Sequence, residues 1–181
     1  QHVQAQSLVR AGIDWACAVL SDDRRSSNVD HLGEPWALRL APMPVEKNGM
    51  ISGYMEDQQG RFNLNNLISD GKINPTQVAH FRRLLSILGI HEAQARALSD
   101  ALADWIDADN EERQQGTEDS YYLSMQPPYL TANRPLTDVA ELARVAGFDD
   151  GVRARMRPFV SALPRLTPVN VNTAPPEVLA A

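Results

Sequence analysis

Leu8, Val9, Ile13, Ala16, Cys17, Val19 and Leu20 recur at spacings of three and four, which predicts a helix over residues 5–20 with a wide apolar face. That face is expected to pack on a sheet, with Cys17 buried as a small hydrophobe. Asp22 to Asn28 is too polar to continue it, and Pro35, Pro42 and Pro44 are expected to break regular structure. Further on, Ser52, Tyr54 and Glu56 and then Phe62 and Leu64 flank Asp57-Gln58-Gln59-Gly60. This arrangement predicts a hairpin with Gly60 in a left-handed conformation.

The next start signal is sharper. Asn74 is a capping residue, Pro75 suits the first helical turn and Gln77 stands three residues after the cap. Val78, Phe81, Leu84, Leu85 and Leu88 then supply a buried face that stops at Gly89. A second helix follows over Glu92 to Ile106, on Ala95, Leu98, Leu102, Trp105 and Ile106. After a polar loop, Val139, Leu142 and Val145 predict a short helix ending at Gly147, and Val152 to Val160 another that ends near Pro158. Val169 and Val171 suggest a short strand, and Thr173-Ala174-Pro175-Pro176-Glu177 opens a last helix. Many short helices around a small strand component predict an α+β fold, and the absence of a repeated βα rhythm argues against a dinucleotide-binding sheet.

Composition narrows the chemistry. With 181 residues, 43% of them hydrophobic and 22% charged, the chain has the make-up of a folded globular protein. Its formal charge of −6 would on average repel a phosphate backbone. Arg153, Arg155 and Arg157 are the densest basic group, and Asp149 and Asp150 lie just ahead of them. A single cysteine excludes an intrachain disulfide and a paired-cysteine metal knuckle. His2, His31, His80 and His91 lack tight ligand spacing, and no serine-nucleophile, P-loop or dinucleotide motif occurs.

The acid-rich stretch Asp107 to Asp119 is where chemistry concentrates. Counting Asp107 as position one puts Asp109, Glu111 and Glu118 at the third, fifth and twelfth places of an EF-hand loop. Glu112 occupies the sixth place, where that loop needs glycine, so an EF-hand is not expected. Two readings stay open on these residues: an irregular Ca²⁺ loop of hard oxygen donors, or a solvated acidic loop. Asp104, Asp107 and Asp109 also allow a paired-carboxylate hydrolase in principle, although spacing in sequence does not fix the separation such chemistry needs. Tyr121, Tyr122, Tyr129 and Phe148 are candidates for recognition, with Tyr122 weighted toward the core.

Four ordered blocks carry a resemblance: Gly60-Arg61-Phe62-Asn63-Leu64-Asn65-Asn66-Leu67, Asp104-Trp105-Ile106-Asp107-Ala108-Asp109, Glu118-Asp119-Ser120-Tyr121-Tyr122 and Pro168-Val169-Asn170-Val171-Asn172-Thr173-Ala174. Asn133-Arg134-Pro135-Leu136 and Glu141-Leu142 fit the same pattern. Together they resemble the periplasmic domain of the type II secretion minor pseudopilin K family over nearly the whole chain.

The resemblance implies a pseudopilin-like helix-on-sheet scaffold with a large inserted helical domain containing SAM-like or helix-hairpin-helix-like units. The scaffold would begin in residues 1–66, the insertion would occupy 67–168 with the acidic loop 107–119, and 169–181 would return as a strand and the start of a helix. It implies a non-enzymatic role at the tip of the pseudopilus, with minor pseudopilins I and J and pseudopilus assembly or secretion-platform proteins as partners. It further implies an upstream inner-membrane helix and a periplasmic location. Calcium is implied in the acidic loop, first at Asp109, Glu118 and Asp119 and then at Asp107 and Glu111. Helix-hairpin-helix units often bind nucleic acid, which leaves a nucleic-acid-binding module as the main alternative; the acidic charge argues against it.

Overall fold

The computed structural model describes residues 2–45 and 49–181. The chain divides into two compact units, Gln1–Asp57 and Gln58–Ala181.

In the first unit, α1 (His2–Ser26) runs past the predicted end, through the polar residues Asp22, Asp23, Arg24 and Arg25. A polar run does not stop a helix unless it removes a backbone donor or supplies a competing cap, and the two arginines in the last turn suit the helix dipole. Val9, Ile13, Trp15 and Leu20 are exposed, and so is Cys17, contrary to the expected burial of that face. A short 3₁₀ turn at Pro35–Ala37 buries Trp36, whose indole N–H donates to Glu34 at 2.8 Å.

β1 (Leu40–Val45) and β2 (Gly49–Gly53) form an antiparallel pair, with Met43 opposite Ile51 and an irregularity between Leu40 and Met43. Pro42 and Pro44 therefore lie inside a strand. A two-stranded ribbon leaves one edge of each strand without ladder bonds, and proline is tolerated there. The hairpin predicted around Asp57 to Gly60 does not form, because Ile51 is paired backwards with Met43 and the chain at Phe62 pairs elsewhere.

The second unit holds the main core. Its strands are short: β3 (Phe62–Asn63), β4 (Ile68–Ser69), β5 (Lys72–Ile73) and β6 (Val160–Ser161). β3 runs parallel to β6, and β4 and β5 form a hairpin. Asp70 and Gly71, with φ of 52° and 71°, make its two-residue turn, an Asp-Gly signal that the apolar periodicity did not expose.

The helices are α2 (Pro75–Ile87), α3 (Glu92–Ile106), α4 (Asp119–Tyr122), α5 (Asp150–Met156) and α6 (Pro176–Leu179). Asn74 caps α2 by accepting from the Gln77 amide at 3.2 Å, and Gly89 follows the helix end with a φ of 76°. Phe81, Leu84, Leu85, Leu98, Leu102, Trp105 and Tyr122 anchor the core, with Phe62 stacked on Phe81 at 5.6 Å. Val139–Arg144 is a 3₁₀ segment opened by an Asp138–Glu141 capping box.

Two local expectations are corrected here. Gly60 is not left-handed; it is glycine because a β-carbon would lie 2.8 Å from Thr173 Oγ1 and 2.9 Å from the Thr173 carbonyl oxygen. The strand expected at Val169 to Val171 is a turn, in which Asn170 accepts from the Asn172 amide through its side chain and from Ala174 through its carbonyl. Residues 58–66 and 169–181 both lie in the second unit, and the Asn170 amide donates to Gln59.

Three asparagines bind residues 63–66 to Leu136 and to residues 163–167. Asn65 accepts from the Leu136 amide at 2.8 Å and donates to the carbonyls of Leu136 and Leu163, both at 2.9 Å. Asn63 accepts from the Leu163 amide and donates to the Arg165 carbonyl, while Asn66 bonds both backbone groups of Thr167. A side-chain amide offers both a donor and an acceptor, so it substitutes for a strand partner where the backbone is irregular.

Candidate functional site

The acidic loop begins where α3 ends, and α3 delivers two carboxylates to it. Asp104 lies on the last helical turn and Asp107 caps the C-terminus, three residues apart and so on one face. Both are buried, at 0% and 2% exposure.

Arg113 turns back over them. Its Nη1 donates to Asp104 Oδ1 and to Asp107 Oδ2, each at 2.5 Å, and its backbone N–H donates to Asp104 Oδ2 at 3.2 Å. The Thr117 amide also bonds the Asp104 carboxylate. Gly116 packs against that carboxylate so tightly that a β-carbon there would lie 1.8 Å from Asp104 Oδ2. Residues 113–117 are thus wrapped around one buried acid.

Glu118 and Asp119 open α4 beside Thr131. Asp119 Oδ1 accepts from the Thr131 amide at 2.9 Å, and the Thr131 hydroxyl lies 2.6 Å from the same oxygen and 3.1 Å from Glu118 Oε2. Asp119 Oδ2 accepts from Asn110, which in turn accepts from Asn133 at 2.7 Å. Tyr122 closes the region from inside the core, its hydroxyl 3.0 Å from the Thr117 hydroxyl and accepting from the Ala146 amide at 3.2 Å.

The electrostatics follow from burial. Desolvation raises the pKa of Asp104 and Asp107 against the opposing pull of Arg113. Glu118 is pushed up to about 7, first by burial and then by the nearby charges of Asp104, Asp107 and Asp119. Asp119 moves the other way, held below its ordinary value by the two Thr131 bonds.

The five carboxylates singled out for calcium do not all converge. Asp107, Glu118 and Asp119 face one region, whereas Asp109 and Glu111 are exposed and Asp109 accepts from the Glu111 amide at 2.9 Å. Among the described residues, the group of three or more ligand atoms within 4.8 Å of one another is a different one: Asp23, Asp30 and Glu34. Glu34 there is buried and accepts from the His31 amide and the Trp36 indole at 2.8 Å, bonds that lower its pKa; Asp30 is exposed and Asp23 half-buried. Its spacing allows a divalent cation.

The 107–119 loop meets a different test. Asp107 Oδ1 and Glu118 Oε1 are buried oxygens without a hydrogen-bond donor, as is Asn133 Oδ1. Orphaned hard oxygens in a buried acidic setting fit a cation such as Ca²⁺. Asp104 instead has an inaccessible side chain held by Arg113, which removes the paired-carboxylate hydrolase geometry.

Asp104 was legible in the sequence only as a paired-carboxylate candidate, and Arg113 and Thr131 were not singled out as parts of this centre. An aspartate amid Ala101, Leu102, Ala103, Trp105 and Ile106 was the available signal, since a carboxylate on an apolar face needs a partner.

Residues 60–165 match the family model described as Type II secretion system (T2SS), protein K. The chain is 45% identical to type II secretion system protein K of Pseudomonas aeruginosa, over 99% of this chain and 56% of that protein. It is 39% identical to the protein of the same name from Aeromonas hydrophila, over 88% of this chain and 51% of the relative. The chain therefore spans about half the length of these relatives. Among solved structures it resembles a chain of the GspK-GspI-GspJ complex from the enterotoxigenic Escherichia coli type 2 secretion system, with a TM-score of 0.90 and 30% identity over 98% of this chain and 65% of that one.

Proposed function

Since the chain belongs to the type II secretion system protein K family, we propose that it is the periplasmic part of a minor pseudopilin that forms or initiates the pseudopilus tip. Its work is assembly with minor pseudopilins I and J rather than turnover, and pseudopilus assembly or secretion-platform proteins are further partners. The supporting observation is its likeness, at a TM-score of 0.90, to a chain solved in a GspK-GspI-GspJ complex. A membrane anchor belongs upstream in the full-length protein; among the described residues no helix is long and apolar enough to cross a membrane.

Residues 67–168, which lie within the second unit, are read as material inserted into a pseudopilin scaffold, with SAM-like or helix-hairpin-helix-like pieces toward the C-terminal side. Its bulk would obstruct neighbours within a filament but not at an end. Exposed Val9, Ile13, Trp15 and Leu20 on α1 supply apolar area for partner contact. A nucleic-acid role is less favoured, because Arg153 is paired with Asp150 and Arg155 bonds the Gly89 and Gly151 carbonyls.

Calcium is proposed as a structural ion of the acidic loop. Asp107 and Glu118 would hold it through their orphaned oxygens, with Asp119 beside them and Asp109 and Glu111 as outer candidates. The ion would supply charge neutralisation among closely placed carboxylates.

The assembly reading is tested by mixing the purified chain with the soluble domains of I and J and measuring complex formation by sedimentation. A stable ternary complex is expected, and a folded chain that binds neither partner overturns the reading. For calcium, calorimetric titration of chelator-stripped protein should show binding that the combined Asp109→Ala, Glu118→Ala and Asp119→Ala variant lacks. Undiminished binding by that variant would place the ion elsewhere.

A further inference from the structure

Arg113 supplies, within the chain itself, the positive charge that the acidic loop requires. Its guanidinium lies 2.5 Å from both Asp104 and Asp107, with its side chain 23% exposed and theirs 0% and 1%. Two adjacent buried carboxylates repel each other strongly unless a cation lies between them. The same two acids, with Glu118, make up the buried negative charge of the site, and Arg113 is the cation bonded to two of the three.

The division of oxygen atoms is informative. Asp104 is saturated by donors from Arg113 and Thr117. Asp107 gives one oxygen to Arg113 and keeps the other orphaned, and Glu118 gives one to Thr131 and keeps the other orphaned. Asp107 is therefore the carboxylate that the guanidinium and an incoming metal ion must share.

We propose that Arg113 is a resident counter-ion that competes with Ca²⁺ for Asp107 and so sets the affinity of the loop for the metal. The proposal rests on the calcium reading given above. In the metal-free chain the guanidinium keeps the loop folded. Ca²⁺ held at the orphaned Asp107 oxygen would draw on the charge of the same carboxylate and weaken its bond to Arg113 Nη1, and the guanidinium would retain Asp104 or move to solvent. No proton or electron changes hands, and a divalent ion takes over neutralisation from a monovalent one. Loop stability is thereby made independent of metal at the expense of metal affinity.

The test compares the chain with Arg113→Gln and Arg113→Lys, each stripped with chelator and titrated with Ca²⁺ alone. Thermal unfolding and calorimetric Kd are the two readouts. Arg113→Gln is expected to melt earlier than the parent in chelator, to gain more from saturating Ca²⁺, and to bind Ca²⁺ about tenfold more tightly, the size of one lost competing interaction. Arg113→Lys should fall between the two on both readouts.

If Arg113→Gln does not fold in chelator, refolding on Ca²⁺ addition is the supporting result. Absence of refolding directs the comparison to Arg113→Gln combined with Asp104→Asn, which removes the buried charge left behind and should still bind Ca²⁺ more tightly than the parent. Parent-like or weaker affinity in the folded variants overturns the competition while leaving calcium binding intact. Absence of Ca²⁺ binding in every form overturns the calcium reading and this proposal with it.

Discussion

Asn65 holds both backbone groups of Leu136, accepting from its amide at 2.8 Å and donating to its carbonyl at 2.9 Å across 71 positions of sequence. The bonds are buried, so neither group of Leu136 has water as a substitute. Replacing Asn65 with Leu strips three backbone partners at once, including the Leu163 carbonyl. The expected loss is about 2–4 kcal/mol of unfolding free energy, measured by urea denaturation. A loss under about 0.5 kcal/mol would mean that the side chain contributes little to joining the two segments.

Gly60 and Thr173 meet at a separation that leaves no room for a methyl group. Gly60→Ala places a β-carbon 2.9 Å from the Thr173 carbonyl oxygen, a backbone atom that cannot rotate away. Thermal unfolding should report a destabilisation of about 1–3 kcal/mol. Thr173→Ser should not relieve it, because the carbonyl remains.

Tyr122 joins the core to the acidic loop through its hydroxyl. Tyr122→Phe keeps the ring contacts with Trp105 and Tyr129 but leaves the half-buried Ala146 amide without its acceptor. The expected loss is about 1–2 kcal/mol, accompanied by faster hydrogen exchange at the Ala146 amide. Unchanged exchange there would indicate that water replaces the hydroxyl.

Glu141 should make the 137–144 segment sensitive to acid. Burial works to raise its pKa, but bonds from the Thr137 hydroxyl and amide and from Arg134 outweigh it and hold the value below the ordinary glutamate range. A depressed folded pKa means that the stabilisation is present above the unfolded value and is lost as pH falls through the folded one. Stability measured across that acidic window should decline less steeply in Glu141→Gln than in the parent. Parallel declines would assign the acid response to other groups.

Local signals in the chain were legible wherever one residue type answers one backbone need. Asn74 and Pro75 announced α2, Gly89 its end, and the apolar spacing of Ala95 to Ile106 gave α3. The Gly60 to Leu67 block carried the family resemblance, and the asparagine bonds to residues 136 and 163–167 give that block a physical purpose. Failures came where the outcome depended on a distant partner. Whether Pro42 sits in a strand depends on which edge is paired, and Phe62 chose Val160, 98 residues away, over a neighbour across a turn.

The acidic loop divides along the same line. Sequence alone determined that carboxylates crowd between Asp104 and Asp119 and left a Ca²⁺ loop and a solvated acidic loop both open there. Tertiary structure decided which of them are buried: the end of α3 carries Asp104 and Asp107 into the interior, Thr131 draws in Glu118 with Asp119 half-buried beside it, and Asp109 and Glu111 stay in solvent. It also decided that Arg113 is the partner of Asp104 and Asp107, because charges at a protein surface are solvated by water whereas buried ones need a counter-charge, and the fold puts this one within 2.5 Å.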